Sequence, residues 1–259
     1  MPTLIPLPAF DDNYIWLWHD GRHAVAVDPG DAAPVLAFLD AHALTLTAVL
    51  ITHHHGDHTG GIAALRQRFD CPVYGPANPN IRGITHIVRG GDTVAIDAPA
   101  LHFDVLSTPG HTLDHLSYVG HGCLFCGDTV FGCGCGRLFE GDAATMATSL
   151  DAILALPDAT RVCCAHEYTL TNIAFAKTID GANPALIERE RRDRAARAAG
   201  QPTLPAPLAL ERTTNPFLRF HDADMRAFAA GYLKRAAPLP HEVFGAIRAA
   251  KDAWDATQP

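Results

Sequence analysis

The segment Thr52-His53-His54-His55-Gly56-Asp57-His58-Thr59-Gly60-Gly61 brings His53, His55, Asp57 and His58 into one short loop. Imidazole and carboxylate together suit borderline divalent cations such as Zn²⁺. In locally extended backbone, side chains two apart point the same way, so His53 and His55 can share one ion. Asp57 and His58 are adjacent, diverge, and can serve a second. On the same geometry His54 points away from its neighbours and reads as a non-ligand. The apolar run Thr47 to Thr52 reads as a covered strand that delivers the chain into His53, and Gly60 to Phe69 leaves the loop as a helix.

Two ions need further donors, and these stand at turn-rich places after strand-like runs: His111 in Thr108-Pro109-Gly110-His111-Thr112, Asp128 in Cys126-Gly127-Asp128-Thr129, and His166 in Ala165-His166-Glu167-Tyr168. Loops at strand ends on a rigid sheet are where catalytic groups sit. The expected assignment is His53, His55 and His111 on metal 1, Asp57, His58 and His166 on metal 2, and Asp128 as the bridge. Asp28, before Pro29-Gly30 at a strand end, reads as a turn residue or an outer partner that orients a histidine. His102, His115 and His121 read as surface or hydrogen-bonded core histidines.

Around this loop the chain is mixed α and β. Residues 14 to 28 read as a hairpin about Asp20-Gly21, Ala33 to His42 as a helix, Cys71 to Tyr74 as a strand, and Ile84 to Phe125 as several short strands. After Tyr168 the pattern turns helical: Asn172 to Ile179, Pro184 to Ala199, Ala223 to Ala237 and Glu242 to Trp254, with Gln201 to Pro207 and Pro238 to Pro240 as spacers. The i,i+4 pairs Glu188–Arg192, Glu190–Arg194 and Asp193–Arg197 read as a solvated helix face.

Composition bounds the function. With 259 residues and 48% hydrophobic content the chain can bury a sizeable core, and a net charge of -8 gives no basic footprint for nucleic acid. The charge is uneven: residues 1 to 167 carry 7 Lys+Arg against 18 Asp+Glu, and the rest 13 against 10. An acidic first part suits cations, and a slightly basic tail can help hold an anion. No apolar run of about 18 residues is present to span a bilayer, and Met1 to Phe10 lacks a charged n-region, so a cytoplasmic protein with no membrane partner is expected. Its 7 cysteines, an odd number in close pairs, read as free thiols, and Cys123-Leu-Phe-Cys126 as strand residues.

The pattern His-x-His-x-Asp-His with distant His, Asp and His resembles the metallo-β-lactamase superfamily over residues 1 to 167. The whole chain is similar to the glyoxalase II, or hydroxyacylglutathione hydrolase, family. The matching pieces are Asp12-Asn13-Tyr14-Ile15-Trp16, Val27-Asp28-Pro29-Gly30, the metal loop, Gly110-His111-Thr112, Phe125-Cys126-Gly127-Asp128-Thr129, Gly134-Cys135-Gly136-Arg137, His166-Glu167-Tyr168, Asn215-Pro216-Phe217-Leu218-Arg219, Arg248 and Lys251. The resemblance implies an α+β fold, a four-layer αβ/βα sandwich over residues 1–167, followed by a helical glutathione-binding domain over 168–259. It implies two divalent ions, Zn in the first place with Fe or Mn as alternatives, and hydrolysis of S-(2-hydroxyacyl)glutathione by a metal-bridging hydroxide. S-D-lactoylglutathione is the implied substrate, yielding glutathione and D-lactate, the second step of methylglyoxal detoxification. Asp57 and Asp128 are the implied catalytic carboxylates.

Arg248 and Lys251, three apart on a helix-like segment, are implied to bind the glycine carboxylate of glutathione, with Arg137, Phe139 and Tyr168 contributing. Where the family often has Lys and Tyr, this chain has Arg137 and Phe139, which keeps the charge and drops a hydroxyl. A monomer is the default expectation. The competing classes are a one-iron glutathione-persulfide dioxygenase, a β-lactam hydrolase and a catalytically silent metal-binding module; metal stoichiometry and turnover separate them. A purified Asp128→Ala protein is expected to lose tight binding of the two-ion complement, read as metal per chain after gel filtration. Retention of both ions would remove the bridging role.

Overall fold

The computed structural model describes residues 3–236 and 238–258, so Met1, Pro2 and Pro259 lie outside it, as does Ala237, where the third expected tail helix ends. The first sheet begins with β1 (Thr3–Ala9), β2 (Asn13–His19) and β3 (His23–Val27), antiparallel neighbours with the expected turn at Asp20. After α1 (Ala32–Ala41), β4 (Thr45–Leu50) lies parallel to β3. The chain then forms α2 (Gly56–Thr59) and α3 (Ile62–Arg68), and closes the sheet with β5 (Val73–Gly75) and β6 (His86–Ile87), in spatial order β1 to β6.

The second sheet holds β7 (Thr93–Ile96), β8 (Leu101–Ser107), β9 (Leu116–Gly120) and β10 (Cys123–Gly127). A small hairpin of β11 (Val130–Phe131) and β12 (Gly134–Cys135) follows, then α4 (Ala143–Leu154) and β13 (Arg161–Cys164), parallel to β10. The tail contains α5 (Thr169–Asp180), α6 (Pro184–Ala198), β14 (Ala206–Pro207), α7 (Leu208–Thr214), a 3-10 turn at Pro216–Leu218, α8 (Ala223–Leu233) and α9 (Pro240–Asp255).

Alternation along the strands makes the layers. On β2, Trp16 and Trp18 point with Val25, Val27, Ala48 and Leu50 into the core shared with Phe103, Tyr118 and Phe125 of the second sheet. Ile15 and Leu17 point the other way, onto Val35, Leu39, Ile62 and Leu65 of α1 and α3. A strand covered on both faces is apolar at nearly every position, as β2 is. The second sheet is backed by Met146, Leu150 and Ile153 of α4, which completes the helix–sheet–sheet–helix order.

Four elements were not expected. Strand β1 is rich in proline and sits at a sheet edge, where a missing N–H is tolerated. One edge of the second sheet is β14, the end of the spacer Gln201 to Pro207, which pairs antiparallel with β13. Helix α4 is capped by Asp142, which accepts from Thr145 N at 2.8 Å. Helix α7 is only seven residues long.

The charged run of α6 corrects the expectation of a solvated face. Glu190–Arg194 is a surface pair at 2.9 Å, but Glu188 pairs with Arg191, and Arg189 and Asp193 turn inward. Arg189, 1% exposed, binds Glu211 Oε1 at 2.5 Å, Asp193 Oδ2 at 3.3 Å and Thr214 Oγ1 at 2.7 Å. Glu211 Oε2 accepts from Cys133 N at 2.8 Å, which fastens the β11–β12 hairpin to the helical tail. Among the described residues no helix is long and apolar enough to cross a membrane. Removing one member of a buried ion network leaves an uncompensated charge, so Glu211→Ala is expected to lower unfolding free energy by about 3–5 kcal/mol in urea denaturation; a loss within experimental error would show that the charge is relieved by solvent.

Candidate metal centre

All the metal-capable side chains gather at one edge of the two sheets, because each follows a strand that ends there. His53 follows β4, His111 follows β8, Asp128 follows β10 and His166 follows β13. The loop is extended only as far as His55, whose backbone caps α2; Asp57 and His58 lie on that helical turn, so their divergence is helical where the sequence reading had extended backbone. The turn sits tightly on Gly30, where an added Cβ would come within 1.8 Å of Asp57 O.

Each imidazole but one is tied through Nδ1 to a fixed group. His53 Nδ1 lies 3.0 Å from Thr52 Oγ1, His58 Nδ1 3.0 Å from Asp28 Oδ2, His111 Nδ1 2.8 Å from the Arg137 carbonyl, and His166 Nδ1 2.7 Å from Asp12 Oδ1. Such contacts fix the ring and the tautomer and leave Nε2 free. His55 presents Nδ1 instead, 3.0 Å from Nε2 of both His53 and His111.

Two donor groups result: His53, His55, His111 and Asp128 in one, Asp57, His58 and His166 in the other. Asp128 stands between them, with Oδ2 3.3 Å from His111 Nε2 and Oδ1 3.4 Å from Nε2 of both His58 and His166. Asp57 Oδ2 lies 3.3 and 3.4 Å from the same two histidines and accepts from Asn13 Nδ2 at 3.1 Å. The donor set fits divalent ions on an independent observation: His58 Nε2 and Asp128 Oδ1 are fully buried without a hydrogen-bond partner. Buried polar atoms rarely stay unpaired, and these two face the space where the donors converge.

The electrostatics divide the groups. Burial, then the neighbouring imidazoles, hold His53 well below the usual histidine range, and burial lowers His55 and His111 too. Burial opposes charge on His58 and His166 as well, yet Asp128, Asp28 and Asp57 outweigh it, raising His58 and pushing His166 up to about 10. Burial alone would raise Asp57 and Asp128; contacts to His58 and His166 more than offset it and keep both carboxyls ionised. His115 is a hydrogen-bonded core residue, pushed down to about 3 by burial and by His111. Its Nε2 accepts from Asp128 N at 3.2 Å and so orients the shared carboxylate. Asp28 accepts from Thr52 N and Thr52 Oγ1 besides holding His58.

From the metal groups a cavity of 420 Å³ runs toward the helical tail, lined by Phe131, Arg137, Phe139, Tyr168, Arg248 and Lys251 along with His111 and Asp128. Arg248 and Lys251 share the buried face of α9, as their spacing requires. Arg248 donates to the Cys135 carbonyl at 3.1 Å and to Asp252 Oδ1 at 2.8 Å; Lys251 contacts Asp255 and lies 5.1 Å from the Trp254 ring. Asp255 also stands 3.7 Å from both Arg137 and Arg248, so three cations surround one carboxylate. Tyr168 stacks on His166 with ring centroids 4.8 Å apart. Phe139, 63% exposed, forms the lip, its ring 5.2 Å from His111. A larger hollow of 580 Å³ lies by Asp180, Arg212 and Arg219, away from the metal donors.

Residues 8–166 match the metallo-beta-lactamase superfamily, and residues 167–254 match the hydroxyacylglutathione hydrolase C-terminus. The hydroxyacylglutathione hydrolase of Thiobacillus denitrificans is 71% identical over 255 residues, which is 98% of this chain and 100% of that protein. The chain belongs to the hydroxyacylglutathione hydrolase family. Among solved structures, ETHE1 from Myxococcus xanthus superposes with a TM-score of 0.65 at 28% identity, covering 98% of this chain and 99% of its own. The B3 metallo-beta-lactamase BLEG-1 gives 0.57 at 30% identity, covering 64% of this chain and 91% of its own.

Asp12 and Asn13 reached the sequence reading only as part of a family motif; their contacts to His166 and Asp57 depend on Tyr14 N bonding to the Ala165 carbonyl, which no local signal announces. Asp255 stands one i,i+4 step from Lys251, which announces that pair but not its approach to Arg137 and Arg248. Because Asp28 fixes His58, Asp28→Ala is expected to weaken one of the two metal equivalents by roughly 10- to 100-fold in chelator competition. Equal retention of both would show that His58 is held by packing alone.

Proposed function

We propose that this chain hydrolyses the thioester of S-(2-hydroxyacyl)glutathione, S-D-lactoylglutathione above all, releasing glutathione and D-lactate, as the second step of methylglyoxal detoxification. The observation that carries the reading is the continuity of the paired His/Asp donor groups with a cavity that ends in Arg137, Arg248 and Lys251. Glutathione carries two carboxylates and one ammonium, so its thioester needs cationic side chains away from the reacting carbonyl.

His53, His55 and His111 would hold one divalent ion, Asp57, His58 and His166 the other, with Asp128 shared. Zinc is the proposed occupant, since imidazole and carboxylate donors suit it, although iron or manganese compete by availability. Two bound ions would supply hydroxide at neutral pH and Lewis-acid polarisation of the thioester carbonyl. The protein's own groups do the rest. Arg248 and Lys251 hold the glycine carboxylate, with Arg137 beside them, and Tyr168, stacked on His166, borders the path of the peptide. Phe139 offers an aromatic face in place of a hydroxyl. Glu167 and Thr203, bonded at 2.6 Å, brace the start of the tail beneath Tyr168. The thiolate leaving group, whose conjugate acid has a pKa near 8.5, needs no dedicated acid, and no Ser-His-Asp constellation is required.

The domains implied are 1–167 for the metal site and 168–259 for the glutathione contacts. A cytoplasmic monomer is the accompanying proposal, and the 7 free, buried cysteines are in keeping with a reducing compartment.

Mixing the purified protein with S-D-lactoylglutathione is expected to bleach the thioester absorbance, with loss of activity after chelation and return with zinc; two bound metals without turnover would overturn the substrate. Arg248→Ala and Lys251→Ala are each expected to raise KM by roughly 10-fold or more, as loss of a charge-assisted contact does, with kcat less affected. Unchanged KM would remove both from the binding site.

A further inference from the structure

His54 lies between two metal-group histidines and belongs to neither donor group. Its surroundings are nonetheless built. Nδ1 lies 3.0 Å from Asp114 Oδ1, and Nε2 lies 3.5 Å from Glu140 Oε1. Asp114 also accepts from Thr112 Oγ1 at 2.6 Å and from Asn78 Nδ2 at 2.8 Å, while Glu140 Oε2 accepts from Leu113 N at 2.8 Å. Both His54 and Asp114 are largely withdrawn from solvent, with side chains 15% and 12% exposed.

These contacts connect three loops. His54 shares its loop with His53 and His55, Asp114 follows His111, and Glu140 follows Phe139. The last two loops are also joined by backbone: Phe139 N donates to the His111 carbonyl at 3.2 Å, and His111 Nδ1 meets the Arg137 carbonyl at 2.8 Å. We propose that His54 is a positioning residue, a clamp that holds the first metal group's imidazoles and the Arg137–Phe139 lip in register through Asp114 and Glu140.

The reason is geometric. Three first-group imidazoles come from two loops joined by backbone through Leu116 N and the Thr52 carbonyl at 2.8 Å, on the far side of His53 from His54 and His55, and an ion tolerates only small errors in donor position. His54 spans the gap, hydrogen-bonded to Asp114 through Nδ1 and within ion-pair distance of Glu140 at Nε2. A cation held by His54, Asp114 and Glu140 is the rival reading, since their donor atoms lie within 4.8 Å of one another. Against it, both Asp114 oxygens are already occupied by Thr112, His54 and Asn78.

The kinetic part of the test rests on the proposed hydrolase reading; the metal part does not. In the full-length zinc-loaded protein, His54→Ala is expected to release one zinc equivalent at roughly 10-fold or more lower chelator concentration than the native chain, as loss of an outer partner does, with little change in apo-protein Tm. KM for S-D-lactoylglutathione should rise more than kcat falls. Glu140→Ala, a change on a part-exposed side chain that removes both its His54 and its Leu113 contacts, should raise KM, and Glu140→Gln, which keeps the acceptor for Leu113, should restore it in part. Native zinc retention with native KM in His54→Ala would overturn the clamp. So would a third zinc equivalent in the native protein that His54→Ala loses. If the native chain turns over no thioester while His54→Ala still sheds zinc early, the hydrolase reading fails and the clamp stands.

Discussion

Everything at the active edge depends on the acceptors that occupy Nδ1 of His53, His58, His111 and His166. A free imidazole chooses between two tautomers and spins about χ2; these four cannot, because Thr52, Asp28, Arg137 and Asp12 each hold one nitrogen. The second nitrogen is thereby aimed inward, toward the space where the donors converge. The consequence is a site whose donors are oriented by the fold rather than by the ion. It also carries a cost, since His58 Nε2 and Asp128 Oδ1 are buried without partners. That penalty belongs to the metal-free chain, and binding an ion that satisfies both atoms relieves it, so part of the metal affinity is stored as unpaired polarity in the protein.

The acidic and basic halves of the sequence meet in the same cavity. Arg248 and Lys251 are buried on α9, which is expensive for lone cations, and Asp252 and Asp255 make it tolerable. Asp255 sits among Arg137, Arg248 and Lys251 as an internal anion. The cavity wall therefore presents three cations already assembled and partly neutralised.

Legibility followed sequence distance. His53, His55, Asp57 and His58 could be assigned to two groups from spacing alone, although the assignment assumed extended backbone throughout and α2 supplies the second divergence. His111, Asp128 and His166 were legible as donors at strand ends. Their supports were not: Asp12 lies 154 positions from His166, and its turn is set by Tyr14 N and the Ala165 carbonyl. Helix α4 carried a faint signal in Met146, Leu150 and Ile153, diluted by Thr and Ser on its other faces. Arg189 and Asp193 looked like surface charges because the groups that bury them, Glu211 and Thr214, come from α7.

That misreading exposes how the two parts of the chain are coupled. The hairpin β11–β12 begins two residues after Asp128 and ends two residues before Arg137, so it joins the carboxylate between the two donor groups to a cation lining the cavity. It cannot be fixed by its own ladder, which is only two residues long on each side. Instead Glu211 takes Cys133 N, and Asn215 donates to the Gly134 carbonyl at 2.9 Å. Arg189 in turn holds Glu211, so a buried charge in the helical tail sets the position of the segment that links the metal-donor groups to the cavity wall. A hydrophobic substitute of equal volume would fill the space but offer nothing to the hairpin's N–H. Here the ionic network is kept for direction, and the stability it costs in desolvation is exchanged for a fixed register between the metal-donor groups and the cavity wall.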